Sequence, residues 1–352
     1  MSHLTHQTAS SSQEMTSGVP LRNESLYLMY RRFFPIHRRM VSLVTTPEEM
    51  QDHCSDKIAS VEGRVGIMLS GGMDSAMLAH FLPKGSIAYT LEYGEDETAL
   101  SEFDQAARFV PLGVEHKKIR ITRASFFDMA RELTLLKREP TVPHDPAIGL
   151  AARQALADGI THMVTGVGAD GSFGGFGHFY KDVSYAAFRS NIIKQFVAPW
   201  DVLKNPVPVD WVIGHYTVND KVDVQTYLGD VGTEGTAVFD TLQACGLVPV
   251  NPYSSMRFGA ALDIAGRGGK YPLKDMFALI YPDRKPNKKM ALPVPYGPWM
   301  RDYIPTRPEF RTDRMDRFGG KNRYQIYALE LYMDMRAQFG WSQPTGDRLF
   351  MQ

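Results

Sequence analysis

The sequence has little cysteine: only Cys54 and Cys245 occur in 352 residues. Two isolated thiols exclude a secreted disulfide framework and lack the paired spacing of a structural zinc site, so a reducing, cytoplasmic setting is expected. Net charge is missing too. Lys+Arg and Asp+Glu are equal at 39 each, so no whole-chain field favours a nucleic-acid backbone or an anionic membrane. No apolar run reaches membrane-spanning length, and residues 1–22 are polar and Ser/Thr-rich without the apolar segment of a signal peptide, so they are expected to form a disordered leader. What remains is an ordinary globular composition, 43% hydrophobic, sufficient for one large domain or two modest ones.

Residues 23–60 read as an N-terminal helical segment. In the aromatic and basic stretch 24–39, Leu26, Tyr27, Tyr30 and Phe34 fall on one face of a packing helix. Thr46-Pro47-Glu48-Glu49 then supplies a cap, a proline at the first helical position and the acid of a capping box, opening a helix to about Ala59. From Arg64 short apolar runs alternate with amphipathic stretches. Strands are predicted at 65–69, 86–91, 117–121 and 162–165, with helices at 75–81, 102–110, 124–135 and 146–156, the last with Asp145 as cap and Pro146 at its first position. Such alternation predicts an α/β fold with a doubly wound parallel sheet covered on both faces. Residues 183–246 mix aromatics, prolines and short polar runs without a clear period and are expected to cover the open edge of the sheet. The C-terminal part is expected to be mostly helical, with Tyr324, Tyr327, Leu331 and Met335 recurring at helical spacing over 322–339, and residues 341–352 as a tail beyond a domain spanning 61–340.

Two loops carry chemistry. The first follows the first predicted strand of the sheet: Leu69 runs into Ser70-Gly71-Gly72-Met73-Asp74-Ser75 and then a helical pattern. Glycines there let backbone N–H groups approach phosphate oxygens, and Ser70 and Ser75 add hydroxyls. Asp74 would repel bare phosphate, so it makes sense as a Mg²⁺ ligand beside a nucleotide. The loop lacks the GK[ST] ending of a Walker A motif. A glycine turn joining a strand to a helix also occurs without any ligand, but this one resembles the SGGxDS loop of ATP pyrophosphatases, which cradle pyrophosphate. The second loop is Gly166-Val167-Gly168-Ala169-Asp170-Gly171-Ser172-Phe173-Gly174-Gly175-Phe176, after the strand ending at Thr165. In a parallel sheet it lies on the same edge as the first, so Asp74 and Asp170 are expected to face one metal ion.

Together the two loops resemble those of asparagine synthetases and β-lactam synthetases, the second loop matching SGEGSDELFGGY. The resemblance continues at Lys270-Tyr271-Pro272-Leu273-Lys274, through Lys288-Lys289-Met290-Ala291-Leu292-Pro293, and into the aromatic C-terminal helix, covering about residues 64–339. It implies an adenine nucleotide alpha hydrolase (PP-loop) fold and an AMP-forming ligase that uses ATP and Mg²⁺ to adenylate a small-molecule carboxylate and pass it to ammonia or an amine. By the same resemblance Leu69, Leu91, Thr165 and Gly166 fall where the family holds adenosine, Asp74 and Asp170 on its metal ligands, and Lys289 on its catalytic lysine. Without the resemblance Lys289 would be one more solvated lysine.

The departures are specific. Too few residues precede the first loop for a glutamine-hydrolysing domain, so ammonia is expected from solution or from a separate amidotransferase. Val167 and Gly171 replace two acidic positions of the motif, and Val167 stands where β-lactam synthetases carry a catalytic tyrosine. A valine cannot relay a proton. Asp201 and Glu234 are acids in the unassigned stretch, where solvated surface roles are the ordinary expectation, and His116 reads as a structural histidine. Two other readings compete: adenylation for nitrogen or sulfur transfer to another acceptor, and a non-catalytic ATP-binding regulatory subunit. The lack of cysteine near Gly166 argues against persulfide chemistry.

Overall fold

The structure, a computed structural model, describes residues 42–93, 102–175, 184–195, 197–206, 217–222, 235–259, 262–287 and 294–341. The expected leader, the aromatic helix over 24–39, Glu234, Lys289 and residues 342–352 lie outside them.

The chain runs β1 (Ser42–Val44), α1 (Pro47–Ala59), β2 (Val65–Met68), α2 (Met73–Ala79), β3 (Ile87–Tyr93), α3 (Glu102–Ala107), β4 (Glu115–Ile121), α4 (Arg123–Lys137), α5 (Asp145–Ala157), β5 (His162–Val164) and α6 (Ala169–Ser172). It continues through α7 (Tyr185–Gln195), α8 (Pro199–Val202), a small hairpin of β6 (Thr217–Val218) and β7 (Lys221–Val222), α9 (Gly235–Ala244), β8 (Val248–Val250), β9 (Met256–Phe258), α10 (Ile264–Arg267), α11 (Tyr271–Ile280), α12 (Tyr296–Met300) and α13 (Gly320–Phe339).

The principal sheet has the order β4-β3-β2-β5-β8, with every pair parallel. From β2 the chain moves outward to β3 and β4, then crosses back to β5 and β8 on the other side. That reversal leaves a switch point between β2 and β5, paired Ile67 to Val164, and ligands of such sheets bind at the carboxyl ends of these strands. Both faces are covered. Ile67 packs with Met50, Cys54 and Ile58 of α1, Ala76 and Leu78 of α2, and Met276 and Phe277 of α11. On the opposite face Ile87 and Tyr89 pack with Phe126 of α4, Ala151 of α5, Leu242 of α9, Tyr296 of α12 and Tyr324 of α13. Each fully buried side chain of this size contributes about 1.5–3 kcal/mol.

Local signals explain most boundaries. Thr122 and Ser125 form a reciprocal capping box that starts α4 at Arg123, one residue before the predicted start. Gly340, at φ 61°, ends α13 in the left-handed conformation that glycine adopts without strain. Thr46 caps α1 as expected, accepting from Glu49 N at 3.2 Å. The Glu49 carboxylate, however, accepts from Thr45 N at 2.6 Å and Thr45 Oγ1 at 2.8 Å, so the box closes one residue earlier than predicted.

Asp145 is not the cap of α5. The helix begins at Asp145 itself, and the His144 N-cap makes no side-chain bond. The Asp145 carboxylate turns inward, accepting from Lys137 Nζ and from Val142 N, both at 2.9 Å. A fully buried carboxylate gains more from an ammonium partner than from a cap in reach of water.

The stretch without a clear period contains α9 and leads to β8, the fifth strand. Val248-Pro249-Val250 is too short to show a period, and its proline is tolerated because, among the described residues, β8 pairs with β5 alone and stands at the end of the strand order. The parallel pairing of β1 with β9 joins residues far apart in the chain and was likewise not foreseen.

Candidate active site

The loop after β2 is held from several sides. Gly71 has φ +68°, and a Cβ there would lie 2.9 Å from Ala106 N, so the loop needs glycine both for its conformation and for the close approach of α3. Ser70 N donates to Ser75 Oγ at 3.2 Å, and Ser75 Oγ donates to Gly72 O at 3.3 Å, folding the loop over the start of α2. Asn287 Nδ2 donates to Gly71 O at 3.0 Å, and Arg108 Nη1 donates to Asn287 Oδ1 at 3.2 Å. The loop after β5 packs directly on this one. A Cβ at Gly166 would stand 3.1 Å from Ser75 N and 3.3 Å from Asp74 Cβ.

That contact brings Asp74 and Asp170 to one cation. Lys270 Nζ lies 2.6 Å from Asp74 Oδ2 and 3.1 Å from Asp170 Oδ1. Lys270 caps α11 in the left-handed conformation, φ 60°, its backbone N donating to Phe173 O at 2.8 Å, and it is 9% exposed. Tyr253 OH donates to Asp74 O at 2.8 Å, fixing the backbone behind the carboxylate. Gly175 leaves room for Asp170, since a Cβ there would fall 2.8 Å from Asp170 Cα. The sequence reading placed the two carboxylates together but missed Lys270; its motif, Lys270-Tyr271-Pro272-Leu273-Lys274, was the available signal.

Among the described residues no group of three or more His, Cys, Asp or Glu side chains could hold a metal ion. Two carboxylates around one cation nevertheless fit Mg²⁺, which binds through one or two carboxylates and takes its other ligands from water and substrate phosphates. Mg²⁺ held by Asp74 and Asp170 would require Lys270 to yield at least one of its carboxylate contacts.

Leu69, Leu91, Thr165 and Gly166 lie at the carboxyl ends of β2, β3 and β5. Thr165 is 1% exposed, and its Oγ1 has no hydrogen-bond partner among the described residues. Leu69 is positioned by a relay across the sheet. Thr90 Oγ1 donates its single proton to Leu69 O at 2.6 Å, so at its 2.9 Å contact with His116 the imidazole Nε2 must be the donor. Phe103 stacks on that imidazole at 3.9 Å, and burial lowers its pKa, favouring the neutral ring. His116 is thus structural, as expected. His116→Phe keeps the stacking but removes the donor, and should lower the unfolding free energy by about 1–3 kcal/mol in urea titrations. Unchanged stability would show that Thr90 does not depend on the imidazole.

The remaining candidates make other contacts. Asp201 is paired with Arg314 at 2.5 Å. Val167 packs against the core on the Tyr324 face of the sheet. Burial pushes the Cys54 thiol up to about 12 and Cys245 up to about 11, so neither is a thiolate near neutrality. Among the described residues no helix is long and apolar enough to cross a membrane.

Residues 53–211 match the family model described as Asparagine synthase, which spans both loops of the site but stops short of Lys270 and Lys289. Over that region the chain is similar to the asparagine synthase family, in keeping with the resemblance of its loops. An NH3-dependent NAD synthetase from Campylobacter jejuni subsp. jejuni NCTC 11168, solved in complex with the nitrate ion, is similar at 21% identity, with a TM-score of 0.24. The similarity covers 36% of this chain and 58% of that one. Comparison with curated proteins gives no match.

Proposed function

We propose that the chain is an ATP-dependent, AMP-forming ligase that adenylates a small-molecule carboxylate and transfers the acyl group to ammonia or an amine. The observation that supports it most is the convergence of the Ser70–Ser75 turn with Asp74 and Asp170 around one cation position at the switch point of the sheet. In this reading Ser70, Gly71, Gly72 and Ser75 hold the departing pyrophosphate, and Leu69, Leu91, Thr165 and Gly166 border the adenosine. Mg²⁺ bound by Asp74 and Asp170 would supply charge neutralisation on the leaving group. Lys289, by the resemblance alone, would supply the positive charge that offsets the negative charge growing as the substrate carboxylate attacks the α-phosphorus. Ammonia comes from solution or from a separate amidotransferase, in the cytoplasm.

The test is pyrophosphate exchange. Labelled pyrophosphate should enter ATP only when a suitable acid is present, and a panel of free amino acids and dicarboxylates, read by AMP release, would identify it. ADP and phosphate as products would sink the reading. Val167 favours a second one, in which the chain binds ATP without completing an amide or adenylates a different acceptor. The high thiol pKa values of Cys54 and Cys245 weigh against sulfur transfer by this chain's own residues.

A further inference from the structure

If the chain is such a ligase, the acyl-adenylate must meet an amine that loses a proton as the amide forms, and Val167 offers no group to take it. The vacancy lies on the face of the sheet that carries the aromatic cluster of Phe126, Trp299 and Tyr324. An acid reaches the same region from an unexpected side.

Helix α3 lies on the opposite face. Phe103 stacks on His116, and the backbone at Gln105 and Ala106 touches Gly71 of the pyrophosphate loop. Glu102, the first residue of α3, stands one turn before that contact, at the carboxyl end of β3. Its carboxylate interacts electrostatically with the Tyr93 hydroxyl. Tyr93 packs on the far face, its ring 6.4 Å from that of Trp299, and its hydroxyl in turn influences Tyr324. Glu102 thus stands beside Tyr93 at the end of β3, on the helix whose next turn touches the pyrophosphate loop, and Tyr93 and Val167 both pack against the same aromatic cluster. Glu102 Oε2 and the Tyr93 hydroxyl are both buried, and neither has a hydrogen-bond partner among the described residues. A buried carboxylate oxygen left without a donor is costly for stability alone, and such positions are where functional groups are found.

The geometry points to Glu102 as the general base of the amide-forming half-reaction, replacing the proton acceptor that Val167 cannot provide. The amine nitrogen attacks the acyl carbon of the adenylate, the C–N bond forms, and the bond to the phosphate oxygen of AMP breaks with its electron pair leaving on AMP. The proton shed by nitrogen passes to the Glu102 carboxylate, which returns it to solvent after AMP departs. Burial pushes the Glu102 carboxyl up to about 7, close to the operating pH at which a base transfers protons best.

The inference rests on the ligase reading, and the test separates the two. Wild type and Glu102→Gln are compared with ATP, Mg²⁺ and the acid from the panel that supports the fastest pyrophosphate exchange, using ammonium chloride or hydroxylamine as nucleophile. Glu102→Gln should keep exchange within a few-fold and still form the hydroxamate, because hydroxylamine is largely unprotonated at neutral pH and its weakly basic nitrogen, once bonded to the acyl carbon, sheds its proton to water without a protein base. Amide formation from ammonium should fall by about a hundredfold or more. The substitution keeps the size of a part-buried side chain whose Oε2 has no hydrogen-bond partner among the described residues, so its melting temperature should not drop. Glu102→Asp, which withdraws the acid by one methylene, should fall between the two and serves if the glutamine variant does not fold. Full amide formation by Glu102→Gln, or loss of exchange together with amide formation, would overturn the assignment. Absence of exchange in the wild type would overturn the ligase reading itself, and this assignment with it.

Discussion

Asp74→Asn and Asp170→Asn should each lower pyrophosphate exchange by a hundredfold or more. Each removes one of the two carboxylates that meet at the Lys270 ammonium, and an amide oxygen carries no net charge to hold a divalent ion against the pull of solvent. Loss of a preorganised electrostatic contact to a developing charge costs a factor of about 10²–10³ in turnover. The fold should survive, because Lys270 keeps its other carboxylate and both acids are only partly buried, at 22% side-chain exposure. Exchange rates are to be measured beside melting temperatures. Wild-type exchange in either variant would show that its carboxylate serves only to pair with Lys270, while a collapse in melting temperature would show that the cluster is a structural device.

The largest expected loss of stability lies away from the site, at Asp145. Its side chain is fully buried, and Lys137, at 4% side-chain exposure, donates to it at 2.9 Å and to Thr241 Oγ1 at 3.0 Å, joining α4, α5 and α9. Asp145→Ala leaves the ammonium and the Val142 N–H facing an emptied space, and should reduce the unfolding free energy by about 3–5 kcal/mol. Breaking a buried pair is costly because the surviving charge loses its partner and cannot regain water. Replacing both partners together, Lys137→Met with Asp145→Leu, should recover most of the loss, since the desolvation cost of both ions vanishes with them. Urea unfolding of the single and double variants checks this, and a double variant no better than Asp145→Ala would show that Asp145 acts through Val142 N rather than through the ion pair.

Much of this architecture was legible in the sequence because its signals are local. A run such as Val65-Gly66-Ile67 declares a buried strand, Thr122 and Ser125 declare a helix start, and the glycines around Ser70 and Gly166 mark where backbones must turn sharply or pass close together. The parallel alternation then places both loops at the carboxyl edge of one sheet, so the pairing of Asp74 with Asp170 is legible in the sequence. Asp145 misled for the same reason: an acid beside a proline at a helix start is the local signature of a cap, and nothing local reveals an ammonium from the preceding helix in a dry interior.

Those same local patterns left three things to the folded chain. Lys270 reaches Asp74 across 196 positions, and only the packing of α11 and the loop ending at Phe173 puts its ammonium between the two acids. Pairing of β8 with β5 completes the sheet through three residues too few to show a period. Nothing local singles out Glu102 among the acids of the chain, and its place beside Tyr93 exists only because α3 packs back on β3. Residue types and their spacing determine which segments turn, cap and alternate, since those preferences act within a few residues. The environment of a charge depends on desolvation and on partners far along the chain, so it exists only once the chain has folded.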